Sequence, residues 1–181
     1  MSSRLLQRTA LALLGAAVAL STTACTHPAR AGTVAIPGGG RGGRATVTHV
    51  VDGDTVDLML AGGGHERARL LGIDTPETVK PNTPVQCFGP EASARTKDLL
   101  APGTAVLVQR DREARDRYGR LLVYLWRAAD GLFVNRSLVA DGYARVLSIE
   151  PNTAHRADLA ATSAAARAAG RGLWSTCPPP G

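Results

Sequence analysis

Aromatic side chains are scarce, at 4% of the 181 residues, while hydrophobic types as a whole reach 44%. Aliphatic side chains must therefore fill the core. Cysteine is scarce too, with three residues, Cys25, Cys87 and Cys177. The two downstream cysteines lack metal-ligand spacing, and His27, His49, His65 and His155 are too scattered to form a zinc pattern. No internal repeat is present. The one long uncharged apolar run, Ala10 to Leu20, falls short of the roughly 20 residues that a spanning helix needs. A formal charge of +6 favours polyanionic partners, yet it equally fits a merely soluble basic domain.

The first residues read as an export leader. Arg4 and Arg8 make a basic start, Ala10 to Leu20 is the apolar centre, and small residues lead to Cys25. A small residue before a first cysteine looks like a bacterial lipobox, although Thr22 stands where leucine is usual. The expected product is a membrane-anchored lipoprotein, lipidated at Cys25 after residues 1–24 are removed. Ala29-Arg30-Ala31 offers a second cleavage site that would release a freely secreted protein. Cys87 and Cys177 are then the mature pair, and in an exported protein an even pair favours a disulfide over two separate buried thiols.

Residues 25–44 are rich in glycine and proline and read as a flexible tether. The folded domain is expected over 45–177, since Pro178-Pro179-Pro180-Gly181 cannot join regular structure. Strand signals run over Ala45–Val51, Thr55–Leu60 and His65–Ile73, with turns at Asp52-Gly53 and Ala61 to Gly64. Helices are expected from Pro90 to the Pro102-Gly103 stop, over Val134–Asp141 and over Thr153–Ala169, with further strands at Thr104–Gln109 and Leu121–Trp126. This is an α+β pattern, best fitted by a five-stranded OB-type Greek-key barrel with about three helices.

Chemistry concentrates in three segments: Val51-Asp52-Gly53-Asp54-Thr55, Arg69 through Glu77, and Asp116-Arg117-Tyr118-Gly119-Arg120. Singly, each has a plain structural reading. Asp-Gly is a common hairpin turn, Asp74-Thr75-Pro76-Glu77 could be a cap, and a lone arginine is ordinarily a surface charge. Together they hold the groups that phosphodiester cleavage requires. Guanidinium forks match phosphate oxygens, carboxylates hold a hard cation, and another carboxylate can direct or deprotonate water. By alternation, Arg69, Leu71 and Ile73 should share one face of their strand, with Asp74 at its end.

These segments, with Phe88 to Ser93 and Pro151 to His155, resemble the staphylococcal nuclease family over about residues 45–174. The resemblance implies calcium as cofactor, with Asp54 and Asp74 as carboxylate ligands and Thr75 as a carbonyl ligand. It implies Glu77 as general base or water-orienting group, and Arg69 and Arg120 as the groups that hold and neutralise the phosphate. Arg117 and Tyr118 match positions that contact a terminal phosphate of bound nucleotide. The implied activity is hydrolysis of DNA and RNA to 3′-phosphate ends, by an expected monomer. The chain departs from the family where Leu147 and Ile149 replace nucleotide-packing tyrosines, and where Val79 to Gln86 replaces a basic loop. The alternative is a catalytically silent barrel of the same type that grips nucleic acid or protein. Degenerate copies of that kind lose carboxylates or arginines, whereas all five charged positions are present here.

Overall fold

In the computed structural model, which describes residues 42–79 and 83–178, the first strand, β1 (Gly42–Val50), begins inside the segment read as a tether. Gly42, Gly43 and Arg44 pair with Gln109, Val108 and Leu107 of β5 (Ala105–Gln109). A ladder uses backbone amides and carbonyls alone, so glycines with nothing to bury still extend a strand that has a partner. The leader, Cys25 and the rest of the tether lie outside the described residues. Along β1 the residues Ala45, Val47 and Val50 are buried. The register against β2 (Thr55–Leu60) shifts between Val47 and His49, and this bulge puts Thr48 and His49 both on the outside.

β2 turns back into β3 (His65–Leu70), and β3 pairs parallel with β6 (Leu121–Arg127). The other ladders are antiparallel, and the barrel closes in the order β1-β2-β3-β6-β5. Three helices, α1 (Gly89–Leu99), α2 (Val134–Ala140) and α3 (Arg156–Ala168), pack outside it, and a single turn, α4 (Leu173–Thr176), adds a fourth. The architecture is thus the α+β barrel that the strand and helix pattern predicts. Among the described residues no helix is long and apolar enough to cross a membrane.

One sequence reading is corrected. The segment His65–Ile73 is not a single strand. It breaks at Gly72, whose φ is +75°, and β4 (Gly72–Asp74) leaves the barrel to pair with β7 (Arg145–Leu147). A Cβ at residue 72 would lie 2.5 Å from Leu159 Cδ1, so both the backbone angle and the space require glycine. The break ends the alternation. Leu71 packs with Leu107, Leu122, Tyr124 and Trp126, while Ile73 joins the main core with Leu70 and Leu159.

β6 is buried from Leu121 to Trp126 because both of its faces are covered. One face contributes Leu121, Val123 and Leu125 to the aliphatic barrel core. The other sets Tyr124 and Trp126 against Phe133 and His155. Burying each such leucine or valine contributes about 1.5–3 kcal/mol, so few aromatics are needed. Buried Asn135 of α2 fastens this layer: its carbonyl accepts Leu125 N at 3.0 Å, and its amide donates to Leu71 O at 2.8 Å.

Candidate active site

The turn between β1 and β2 is built by its own side chains. Asp52 Oδ1 accepts the amide of Asp54 at 3.0 Å, a local bond that aspartate makes readily. From behind, Thr96 of α1 donates its hydroxyl to Gly53 O at 2.7 Å. The Asp54 carbonyl accepts Leu70 N at 2.8 Å, which joins the turn to the end of β3. Asp54 is thereby presented, almost wholly buried, to the residues that leave β3.

Asp54 Oδ2 receives the amide of Thr75 at 2.9 Å and its hydroxyl at 3.1 Å. The same oxygen pairs with Arg69 Nη1 at 2.7 Å, and Oδ1 accepts the Thr55 hydroxyl at 3.2 Å. Arg69 Nη2 extends to Asp74 Oδ1 at 2.9 Å. One guanidinium therefore holds two carboxylates of contrasting exposure: the Asp54 side chain is 9% exposed and that of Asp74 is 53%. Burial pushes the Asp54 carboxyl up to about 6 against the pull of Arg69, with Asp52 and Asp74 adding to the rise. A buried carboxylate that one guanidinium does not fully compensate, next to a second, open carboxylate, is an all-oxygen donor set suited to a hard divalent cation. Among the described residues no cluster of three or more His, Cys, Asp or Glu side chains forms.

Arg69 has five N–H donors. Asp54, Asp74 and Leu70 O, at 3.2 Å from Nη1, take three of them. Among the described residues, Nε and one Nη2 hydrogen have no partner.

Glu77 sits on the loop after β4. Its Oε1 accepts the amides of Thr78 and Val79, each at 2.9 Å. Its backbone is clamped by Gln86, whose side-chain carbonyl accepts Glu77 N at 2.9 Å while its backbone N–H donates to Glu77 O at 2.9 Å. The next residue, Cys87, is joined to Cys177 by a disulfide with Cα atoms 5.8 Å apart. Residues 80–82 of the loop lie outside the described residues.

Arg120 closes the turn ahead of β6. Asp116 organises that turn: Oδ1 accepts Tyr118 N at 3.0 Å and Arg120 N at 2.9 Å, and Oδ2 takes Arg120 Nε at 2.7 Å. The Asp116 carboxyl is raised by burial but lowered more by the bonds from Arg120 and Tyr118, so it stays ionised below its ordinary range. Asp116 engages Arg120 through Nε, and among the described residues neither Nη group of Arg120 bonds to it. Tyr118 is 68% exposed, with Arg117 and Arg120 over its ring at 4.8 and 5.5 Å. Parallel pairing sets Arg69 opposite Leu122, so the turn bearing Arg120 leads directly into the strand that pairs with the one bearing Arg69.

The structure thus gathers Asp54, Arg69, Asp74 and Thr75 directly, and ties Arg117, Tyr118 and Arg120 to them through the β3–β6 ladder. Leu147 and Ile149 are exposed, at 42% and 63%. Sequence reasoning missed the amide and hydroxyl of Thr75 as Asp54 donors, the Gln86 clamp and the Thr96 buttress. Thr75 and Asp116 carried a signal, each being part of a motif already singled out, whereas Gln86 and Thr96 carried none.

The staphylococcal nuclease homologue family matches residues 67–176. A thermonuclease of Staphylococcus intermedius is 47% identical over 116 residues, covering 64% of this chain and 67% of that protein. A thermonuclease of Staphylococcus hyicus is 38% identical over 129 residues, covering 71% and 74%. Endonuclease YncB of Bacillus subtilis (strain 168) is 42% identical over 109 residues, covering 60% of this chain and 50% of its own length.

Proposed function

The chain belongs to the staphylococcal nuclease family, and on that premise we propose that it is a calcium-dependent nuclease that hydrolyses phosphodiester bonds of DNA and RNA to 3′-phosphate ends. The observation that carries this reading is the Arg69 guanidinium held between the carboxylates of Asp54 and Asp74.

The carboxylates of Asp54 and Asp74 and the carbonyl of Thr75 would hold the ion, which when bound supplies positive charge beside the phosphate oxygens. The chain's own groups do the rest. The free Nε and Nη2 hydrogens of Arg69 and both Nη groups of Arg120 bond phosphate oxygens, and these bonds strengthen as charge builds in the transition state. The Glu77 carboxylate, steadied by two loop amides, orients the attacking water and takes its proton. Arg117 and Tyr118 hold a terminal phosphate of the substrate strand. Asp116 holds Arg120 by its Nε.

Residues 1–24 direct export, and Cys25 carries a lipid that anchors the protein to the membrane; cleavage after Ala31 would release it instead. The folded unit, which begins with β1 at Gly42, acts as a monomer. Digestion of single-stranded DNA, duplex DNA and RNA with calcium, followed by product-end analysis, tests the reading. Cleavage of both nucleic acids to 3′-phosphate ends is expected, and 5′-phosphate ends would contradict the bond choice.

A further inference from the structure

Arg115 stands one residue before the turn that carries Arg120, and it is bound to a strand far away in sequence. Its Nη2 meets Glu66 Oε1 at 2.6 Å, and its Nη1 meets Glu66 Oε2 at 2.8 Å. The same Nη1 donates to Gly119 O at 2.8 Å, next to Arg120. Glu66 lies on β3 two residues before Ala68, which is opposite Leu121 in the parallel ladder, and the backbone of Arg115 bridges Leu121. One guanidinium therefore spans from β3 of the barrel to the carbonyl of the residue before Arg120. The partners are 48% and 22% exposed, and an ion pair this open contributes little to stability. Its three bonds come from one planar, rigid guanidinium, which a lysine ammonium does not reproduce. The far end of the loop is held as well: Asn152 accepts Glu113 N at 2.8 Å and donates to Glu113 O at 3.0 Å. What the Glu66–Arg115 pair adds is control over the Arg120 end.

We propose that Glu66 and Arg115 are positioning residues for Arg120, fixing the Asp116–Arg120 turn against β3 so that the terminal nitrogens of Arg120 meet the phosphate in register. The inference rests on Arg120 being a phosphate-binding group of the reaction. Misplacing a catalytic group by about 1 Å can cost up to 10²-fold in rate, so a weak surface pair in this place has leverage on turnover that it lacks on folding.

The test uses the full chain with calcium and single-stranded DNA, comparing Glu66→Gln, Arg115→Lys, their double variant and Arg120→Ala. Each single variant is expected to lower kcat about tenfold, within the range that misplacement allows, with KM changed by less than about twofold. The double variant should be no slower than either single, as expected of two residues in one device. Melting temperatures should move by no more than about 4 °C. In the substrate-free protein the Arg120 Nε–H NMR cross-peak should broaden or shift in the single variants, a readout that a purely structural role would not move. Wild-type kcat in Glu66→Gln and Arg115→Lys, alongside an inactive Arg120→Ala, would overturn the inference and leave the nuclease reading intact. Losses that multiply in the double variant would also overturn it. An active Arg120→Ala would remove both together.

Discussion

The amide and the hydroxyl of Thr75 both donate to one oxygen of Asp54, at 2.9 and 3.1 Å. That approach is open because residue 53 has no side chain: a Cβ there would lie 2.5 Å from Thr75 Oγ1 and 2.7 Å from its Cβ. Gly53→Ala must push Thr75 off Asp54 or shift the turn. The expected cost is about 1–3 kcal/mol of overpacking, with turnover down tenfold or more as Asp54 and Asp74 lose register. Calcium-dependent activity and thermal melts check this, and a variant equal to wild type in both would contradict it.

Arg120→Ala and Glu77→Gln should each reduce turnover by about 10² or more, the scale of removing one preorganised group, with native far-UV circular dichroism. Arg69→Ala should do the same, but it also leaves Asp54 buried without its guanidinium. Breaking such a pair costs about 3–5 kcal/mol, so its rate must be read well below its melting point. Arg69→Lys retains the charge without the fork and should remain strongly impaired. Near-wild-type turnover in any of these removes that residue from the mechanism.

Much of the fold was legible because aliphatic alternation, turn residues and helix stops agree from Ala45 to Gly170. The break at Gly72 was not, since a glycine within a strand pattern signals a break only when Leu159 is known to press against it. The charged site residues could be named from motifs, because their types and order are unusual together. Their mutual contacts could not, because Asp54 meets Thr75 across 21 positions and Glu66 meets Arg115 across 49. Gln86, Thr96 and Asn135 left no trace in the sequence for a related reason: a polar side chain that binds backbone groups elsewhere in the chain has no periodicity to betray it.

The Cys87–Cys177 disulfide closes a separation of 90 residues. Chain entropy puts its contribution at up to about 4–5 kcal/mol. Cys87→Ser with Cys177→Ser should therefore melt well below wild type. The sulfurs take no part in the Gln86–Glu77 bonds, so turnover at a temperature where the variant is folded should stay within a few-fold of wild type. A folded but inactive variant would show that the bridge itself holds Glu77 in place.

His155 packs edge-on against Tyr124 at 4.5 Å and lies 4.9 Å from Phe133, with its Nε2 3.0 Å from Gln109 Oε1. Burial pushes its pKa below the ordinary 6.5. The unfolded chain then takes up the proton more readily, so the stability linked to neutral His155 is fully present above pH 6.5 and is lost as the pH falls from there through the folded-state pKa. Urea melts at pH 7.5 and pH 5 should show a larger loss for wild type than for His155→Gln. Equal losses would exclude His155 as the source.

Whether Asp54, Arg69 and Asp74 form a cation-assisted phosphodiesterase site is tested most directly by the initial rate of cleavage of single-stranded DNA through one cycle of calcium, chelator and restored calcium. The predicted result is rapid cleavage with calcium, none with excess chelator and full recovery on adding calcium back, with the wild-type cycle absent in Asp74→Asn. Undiminished cleavage in chelator, or no cleavage at any stage by folded protein, would contradict it.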